Sequence, residues 1–344
     1  MNKHPILLCI SALLMACQPT DNGPRHDLTP AFYHWKTTFQ PTRFEERTLR
    51  RLGVETLYVR FFDVDWNPQI NEATPKATVR FATPVAGYTV VPVVFITNRT
   101  LQNLSVMAIP ILARNITNEI KQIAQKQVIR FQEVQIDCDW SETTGGRYFA
   151  LLRSLRAMLG VPLSATIRLH QVKFAAKTGV PPVERGMLMA YNVADWKRAD
   201  TRNSIWDAAV ADRYLPFLEK YPLPLDVVLP VFRWTIAYRN GLFLKIMNDV
   251  DRNQLKNSGF LEPVLTDSTR FVARQDTAAL GMMIRRGDVF RAEAVPIDEL
   301  KKAQHAILSR IQNRAVTFGL YHLDSTNLAQ YSYETLQSLY RPVP

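Results

Sequence analysis

The chain has 344 residues and a formal net charge of +11, and it is long enough to bury one large core without disulfide staples. Its lysines and arginines are dispersed, form no block of five or six and accompany no nucleic-acid-binding motif, so the sequence predicts no nucleic-acid partner. Of the three cysteines, only Cys138 lies in the predicted folded body, which excludes an internal disulfide. The basic surface suits anionic lipid or polysaccharide.

The N-terminus predicts a lipoprotein signal. A basic start precedes an apolar run over residues 6–15, which is shorter than the roughly 20 residues that a membrane span needs. Leu14-Met15-Ala16-Cys17 fits a lipoprotein box. We therefore expect residues 1–16 to be removed, Cys17 to carry acyl chains such as palmitate, and residues 17–30 to form a polar tether. An ordinary secretory signal with an incidental cysteine is the alternative.

These features predict a protein of the bacterial cell envelope that is held to a membrane by its lipid, with the outer membrane favoured over the inner one. No later segment of the sequence is long and apolar enough for a transmembrane helix.

Eight short apolar or β-branched segments recur along the body, and helical patterns lie between several of them. The predicted strands are 32–38, 56–62, 89–96, 133–139, 163–170, 187–193, 226–234 and 315–324. The predicted helices are 43–52, 116–127, 148–159, 205–221 and 297–312. Eight alternating βα units indicate an α/β fold, a (β/α)8 TIM barrel over residues 31–344.

An insertion is predicted between strands seven and eight, because about seventy residues separate them where a βα unit needs roughly thirty. We place it at about 241–296. Within it, residues 280–284 and 289–292 flank Arg285-Arg286-Gly287-Asp288 and predict a β-hairpin, whereas residues 249–263 look irregular. The insertion is expected to wall a cleft, and a separate small domain is the alternative.

Polar side chains gather at the predicted strand ends. Alternate side chains of a barrel strand face the interior, so polar residues of one parity near its end point into the barrel mouth. Those selected on the fourth, fifth and eighth strands are Gln135, Asp137, Asp139, Thr166, Arg168, His170, His322 and Asp324. The first, second and seventh strands add His34, Arg60 and Arg233. Trp35, Tyr191 and Trp234 suit stacking on sugar rings, with packing between strands and helices as the alternative.

Asp137, Asp139 and Glu142 are the candidate catalytic residues. Paired carboxyl groups supply the acid and base that glycosidic cleavage requires, and like charges this close raise the pKa of one of them. A buried network in which Arg60, Arg168 and Arg233 neutralise Asp137, Asp139 and Asp324 is the structural alternative. A metal site of Asp137, Asp139, His170 and His322 lacks the usual ligand spacing, so the sequence predicts neither a metal nor a cofactor.

Segments 33–36, 57–65, 134–140, 165–171 and 185–192 give nearly the whole mature chain a resemblance to a family of uncharacterised envelope lipoproteins of the Bacteroidetes type. That resemblance implies an envelope location and brings no known reaction.

The order of strands also resembles glycoside hydrolase family 18, the chitinase-like barrels. Asp137 and Asp139 match the aspartates of that family's Asp-x-Asp-x-Glu motif, and Met189 with Tyr191 matches its Met-x-Tyr motif. This resemblance implies a barrel that acts on glycans by a substrate-assisted mechanism.

The chain departs from that family at two places. Ser141 stands where the family has its acid glutamate, with Glu142 one residue later, and the last strand ends in His322-Leu323-Asp324 where the family has a tryptophan.

Two functions follow from this pattern. The first is a glycoside-hydrolase-like enzyme in which Asp139 or Glu142 donates a proton, Asp137 assists, and Arg168, His170 and Tyr191 hold the substrate. The remaining mouth residues would bind the glycan. The alternative is a catalytically inactive barrel that binds a glycan.

Overall fold

A computed structural model describes residues 26–341 and shows a closed barrel of eight parallel strands. Its strands are β1 (Asp27–His34), β2 (Thr56–Asn67), β3 (Thr89–Ile96), β4 (Val134–Asp137), β5 (Leu163–Arg168), β6 (Arg185–Met189), β7 (Leu225–Pro230) and β8 (Ala315–Tyr321). Neighbours in the chain are neighbours in the barrel, and β1 closes it by pairing with both β2 and β8. The predicted TIM barrel is confirmed.

Four of the five predicted helices are confirmed with shifted ends. The α-helices of the described residues are Arg43–Arg51, Asn98–Asn103, Ile109–Lys126, Gly145–Leu159, Leu169–Lys173, Ala175–Thr178, Ala208–Ala211, Arg252–Lys256, Ile297–Leu308, Ser325–Leu328 and Tyr333–Ser338. The helix predicted over 205–221 is wrong. Asp207 caps a single turn, and Pro216 follows, which cannot donate to an α-helical ladder; only the 3₁₀ segment Leu215–Lys220 continues.

Polar and aromatic side chains fill part of the barrel interior beneath the mouth. The Tyr33 and Tyr58 rings stack with centroids 4.8 Å apart, and the Tyr33 hydroxyl donates to Gln135 Oε1 at 2.6 Å. Gly186 on β6 allows close strand contact, since a Cβ there would lie 2.8 Å from the Ile167 side chain. The interior is therefore a packed core that supports the residues at the strand ends.

An insertion lies between β7 and β8, as the sequence predicts, and it forms a five-stranded antiparallel sheet that begins at Trp234, before the predicted start near 241. Its strands, in spatial order, are Leu242–Met247, Trp234–Arg239, Val289–Glu293, Asp267–Ala273 and Leu261–Val264. The sheet has an apolar core of its own, which includes Met247, Leu255, Phe271 and Phe290. Smaller pairings are Glu72–Lys76 on β2 and Thr38–Phe39 with Arg80–Phe81.

Two predictions inside the insertion are wrong. Met282–Ile284 forms an antiparallel pair with the preceding strand, Thr277–Ala279, because Leu280 and Gly281 both adopt positive φ and form the turn between them. Val289–Glu293 instead pairs with the strands on either side of it in the five-stranded sheet, so 280–292 is no hairpin. The segment 249–263 is also partly regular, with the helix Arg252–Lys256 and the start of the strand Leu261–Val264.

The predicted tether is too long by several residues, because 27–30 form the first half of β1 and pair with 315–318 of β8. The predicted signal and Cys17 lie outside the described residues. Over residues 26–341, no helix combines the length and the hydropathy that a membrane span requires.

Candidate functional site

A cavity of about 630 Å³ opens at the carboxyl ends of the barrel strands. Ten of the thirteen predicted catalytic and binding residues line it, namely Trp35, Arg60, Asp137, Asp139, Arg168, Tyr191, Arg233, Trp234, His322 and Asp324. We call this cavity the barrel mouth. The strands bring these residues together because all eight run in the same direction and end at one rim.

Three predicted residues do not line the barrel mouth. Glu142 is exposed in a turn that begins at Ser141, whose backbone N–H donates to Thr144 Oγ1 at 2.9 Å. His170 is exposed because β5 ends at Arg168 and a helix follows, so the alternation of a strand no longer applies. His34 is buried and packs on Phe39 with ring centroids 4.8 Å apart.

The position of His34 follows from strand parity. Tyr33 points into the barrel, where it bonds Gln135, so His34 on the same strand faces the other way. Burial is the largest cause of the lowered pKa of His34, about 4, which keeps the ring neutral at pH 7. This residue packs the barrel wall and does not contact the barrel mouth.

Asp137, Asp139 and Arg168 form the charged centre of the site. Asp137 is buried and accepts a hydrogen bond from Thr166 Oγ1 at 2.6 Å. Burial raises the pKa of Asp137 to about 6, and the positive charge of Arg168 opposes that rise. Arg168 Nε donates to Asp139 Oδ1 at 2.8 Å, while 52% of the Asp139 side chain stays exposed. The outer carboxylate therefore faces the cavity and the inner one is sheltered.

Arg168 is held in a fixed position. Its guanidinium lies 5.2 Å from the centroid of the Tyr191 ring, in cation–π geometry. Its Nη1 is buried and has no hydrogen-bond partner among the described residues. A planar cation fixed by Asp139 and Tyr191 can donate to an oxygen of a bound molecule.

The other arginines of the barrel mouth are paired with aspartates that the sequence analysis did not select. Arg60 Nε donates to Asp63 Oδ1 at 2.6 Å and Arg60 Nη2 donates to Asp63 Oδ2, while Arg233 lies 3.2 Å from Asp251. The register of β2 against β3 shifts between Arg60 and Phe62, and this bulge lets residues three apart face the same side. Strict alternation would place Asp63 on the opposite face of the strand from Arg60.

Asp324 has a structural role at the rim. Its carboxylate accepts from the backbone N–H groups of Thr326 and Asn327 at 3.0 and 3.1 Å and so caps the helix Ser325–Leu328. Lys36 Nζ lies 2.8 Å from its other oxygen. The predicted network is thus present only in part, because Arg168 pairs with Asp139 and the other arginines have different partners.

Five aromatic rings form a continuous band across the barrel mouth. They are Trp35, Tyr321, Tyr191, Phe232 and Trp234, with successive centroid distances of 5.7, 5.0, 5.7 and 5.2 Å. Three of these rings were predicted from the sequence, and two were not. Phe232 and Tyr321 were missed because only polar residues were selected by parity on those strands, although both lie beside selected residues.

The barrel mouth thus combines an aromatic band with hydrogen-bonding groups and two neighbouring carboxyls. Within residues 26–341, no cluster of three or more histidine, cysteine, aspartate or glutamate residues has the geometry to hold a metal ion. The arrangement can stack apolar faces of a polar ligand and bind its oxygens.

Solved structures with the same fold are glycoside hydrolase family 18 chitinase-like barrels. The spore cortex-lytic enzyme SleL of Bacillus cereus is 13% identical with a TM-score of 0.51, over 92% of this chain and 74% of that one. A chitinase of Chromobacterium violaceum is 11% identical with a TM-score of 0.52, over 90% and 98%. The family 18 chitinase ChiB of Flavobacterium johnsoniae is 12% identical with a TM-score of 0.50, over 91% and 93%.

These similarities show the fold, and they confirm that the chain shares the barrel of that family. No protein-family model matches the sequence, and neither does any curated protein.

Proposed function

We propose that the barrel mouth binds a glycan and holds it without cleaving it. The aromatic band carries this proposal, because its half-buried rings, Trp35, Tyr321 and Trp234, offer apolar faces to sugar units and are supported by the buried rings of Tyr191 and Phe232. Arg168 and Asp139 supply a donor and an acceptor for sugar hydroxyls beside the band. The structural neighbours support a glycan ligand, since their names describe a cortex-lytic enzyme and chitinases.

The arrangement of the acidic residues supports binding over cleavage. A glycosidase of this type needs a protonated carboxyl beside the bond that it cleaves. Ser141 stands at the third position of the acidic motif, and neither Ser141 nor Glu142 lines the barrel mouth. Asp139 is neutralised by Arg168. The third position of the acidic motif therefore carries no carboxyl.

Hydrolysis is the second candidate, and the pKa of Asp137 favours it. A carboxyl with a pKa of about 6 is partly protonated near neutral pH, which suits a proton donor. Asp137 lines the barrel mouth, although only 5% of the residue is exposed. Asp139 would then supply the partner carboxylate.

Replacing Trp35 with alanine is expected to weaken glycan binding roughly 10- to 30-fold, which corresponds to about 1.5–2 kcal/mol. The reason is that Trp35 ends the aromatic band and also stacks on the Arg60 guanidinium, 5.4 Å from its ring centroid. Isothermal titration calorimetry with chitohexaose, cellohexaose and a fragment of bacterial cell-wall glycan measures the effect. Trp196→Ala is the matched control, because this partly buried tryptophan does not line the barrel mouth.

The same glycans decide between binding and hydrolysis. Binding by the wild type without release of reducing ends supports the proposed function. If the wild type releases reducing ends and Asp139→Asn abolishes that release, the protein is a hydrolase and the binding proposal is wrong. Equal loss of affinity in the Trp35 and Trp196 variants would mean that the aromatic band is not the binding surface.

We further propose that Cys17 anchors the protein to a membrane of the bacterial envelope. The lipoprotein box and the polar residues after it support this location. Cys17→Ser is expected to lose incorporation of radiolabelled palmitate and to leave the membrane fraction. Cys9→Ser, inside the predicted signal, is expected to retain both. Equal labelling of the two variants would contradict lipidation at Cys17.

A further inference from the structure

A second cavity of about 990 Å³ lies directly beside the barrel mouth. Arg233 and Trp234 line both cavities, so the two share one wall. The second cavity is bounded by the insertion sheet and by residues 202–208, 294–299 and 330–335. Its volume is that of a small-molecule site, for which about 300–1,000 Å³ is usual. A chain that spans both cavities would contact Trp234, where the two meet.

The shared wall is rigid. Trp234 follows β7, and its indole N–H donates to Glu293 Oε2 at 2.7 Å. Glu293 also accepts from Ser204 Oγ at 2.5 Å and forms a fully buried ion pair with Arg291. These contacts fix the Trp234 ring between the two cavities, where it can contact a ligand that spans them.

Six of the seven charged side chains that line the second cavity are ion-paired, and Arg252 is the exception. The pairs, each within 3.2 Å, are Arg202–Asp207, Arg233–Asp251, Asp267–Arg270, Glu293–Arg291 and Glu299–Lys302. Arg252 Nε donates to the Ser268 carbonyl at 2.8 Å. A charge that is already paired attracts a charged ligand only weakly, so the lining favours a neutral, polar molecule.

Trp206 provides an independent indication of a ligand. The residue lines the second cavity and is 5% exposed, and its indole N–H has no hydrogen-bond acceptor among the described residues. Buried donors without an acceptor are rare because they lose the hydrogen bond that water would provide. Tyr331 and Trp234 add two more rings to the lining. A sugar ring can contact these aromatic faces, and a small turn of the Trp206 side chain, whose N–H is buried behind the lining, lets a hydroxyl accept from it.

We propose that the second cavity is a distal saccharide subsite that takes neutral sugar units of the same glycan chain bound at the barrel mouth. This inference rests on the proposed function and extends it, because it makes the ligand an oligosaccharide long enough to pass Trp234. Short saccharides fill the barrel mouth alone, whereas longer ones also reach Trp206.

The test compares chitobiose with chitohexaose by isothermal titration calorimetry on the full body of the protein. The wild type is expected to bind the hexasaccharide at least about tenfold more tightly than the disaccharide. Asn253→Trp places a bulky ring at an exposed position on the lining and should reduce this advantage to within about threefold, while the affinity for the disaccharide is unchanged. Lys256→Trp, on the same helix and outside the lining, should retain the full advantage.

A second readout does not depend on the blocking variant. The indole ¹H–¹⁵N resonance of Trp206, assigned with Trp206→Phe, should shift with chitohexaose and stay in place with chitobiose. Equal affinities of the wild type for the two sugars, or an unmoved Trp206 resonance at saturation, would overturn the subsite and leave the proposed function intact. Absence of binding to both sugars would overturn the inference together with glycan binding of this type.

Discussion

Glu293→Gln is expected to lower the free energy of unfolding by about 3–5 kcal/mol, the usual cost of removing one partner of a buried ion pair. Arg291 and Glu293 are paired at 2.5 Å, with side chains that are 0% and 1% exposed. Glutamine retains the size of glutamate and an oxygen for Trp234 and Ser204. The change removes the negative charge and turns the amide NH2, a donor, toward Arg291 Nε. The guanidinium of Arg291 is then buried without a counter-ion.

The position of this pair explains why the effect should spread. Arg291 Nη1 donates to the carbonyl of Arg198 at 2.8 Å, and its guanidinium lies 5.0 Å from the centroid of the Tyr238 ring. The ion pair thus connects the insertion sheet to the loop after β6 and to the wall between the two cavities. Loss of the pair should therefore loosen the insertion sheet against that loop.

Chemical denaturation followed by circular dichroism measures the change in stability. Asp200→Asn is the matched control, since it removes a carboxylate from the exposed Arg198–Asp200 pair and should leave the unfolding midpoint nearly unchanged. If Glu293→Gln and Asp200→Asn unfold alike, the buried pair does not stabilise the insertion.

Asp137→Asn is expected to stabilise the protein by roughly 2–3 kcal/mol at pH 8 and to change stability little at pH 4. Burial raises the pKa of Asp137 from 3.8 to about 6, so the folded protein favours the protonated carboxyl. Stability that comes from this group is complete below pH 4 and is lost as the pH rises through 6. Asparagine remains neutral, and its amide oxygen can still accept from Thr166.

Unfolding free energies of the wild type and the variant at several values between pH 4 and pH 8 test this expectation. The two curves should nearly coincide at pH 4, diverge between about pH 4 and pH 6, and keep a constant separation at higher pH. The difference between them isolates Asp137, because His34, whose pKa is lowered by burial, contributes equally to both. A variant that is less stable than the wild type at pH 8 would show that ionised Asp137 stabilises the fold through Arg168.

Periodicity in the sequence was sufficient to predict the barrel. Parallel strands need crossover connections, which the helical patterns between the eight β segments supply. Eight such βα units form one closed parallel barrel. Because all eight strands end at one rim, strand position alone brought Asp137, Arg168 and Tyr191 to the same cavity. The presence of an insertion followed from the length of the segment between β7 and β8.

Local irregularity and long-range pairing were decided by the tertiary structure. The bulge after Arg60 brings Asp63 to the same side, which strict alternation cannot predict, and His34 required knowledge of where Tyr33 points. In the insertion, the strand that contains Arg291 pairs with strands on both sides of it, and its buried charge is satisfied only there. Alternation is a property of each strand by itself, whereas register and ion pairing depend on residues distant in the chain, so only the folded protein determines them.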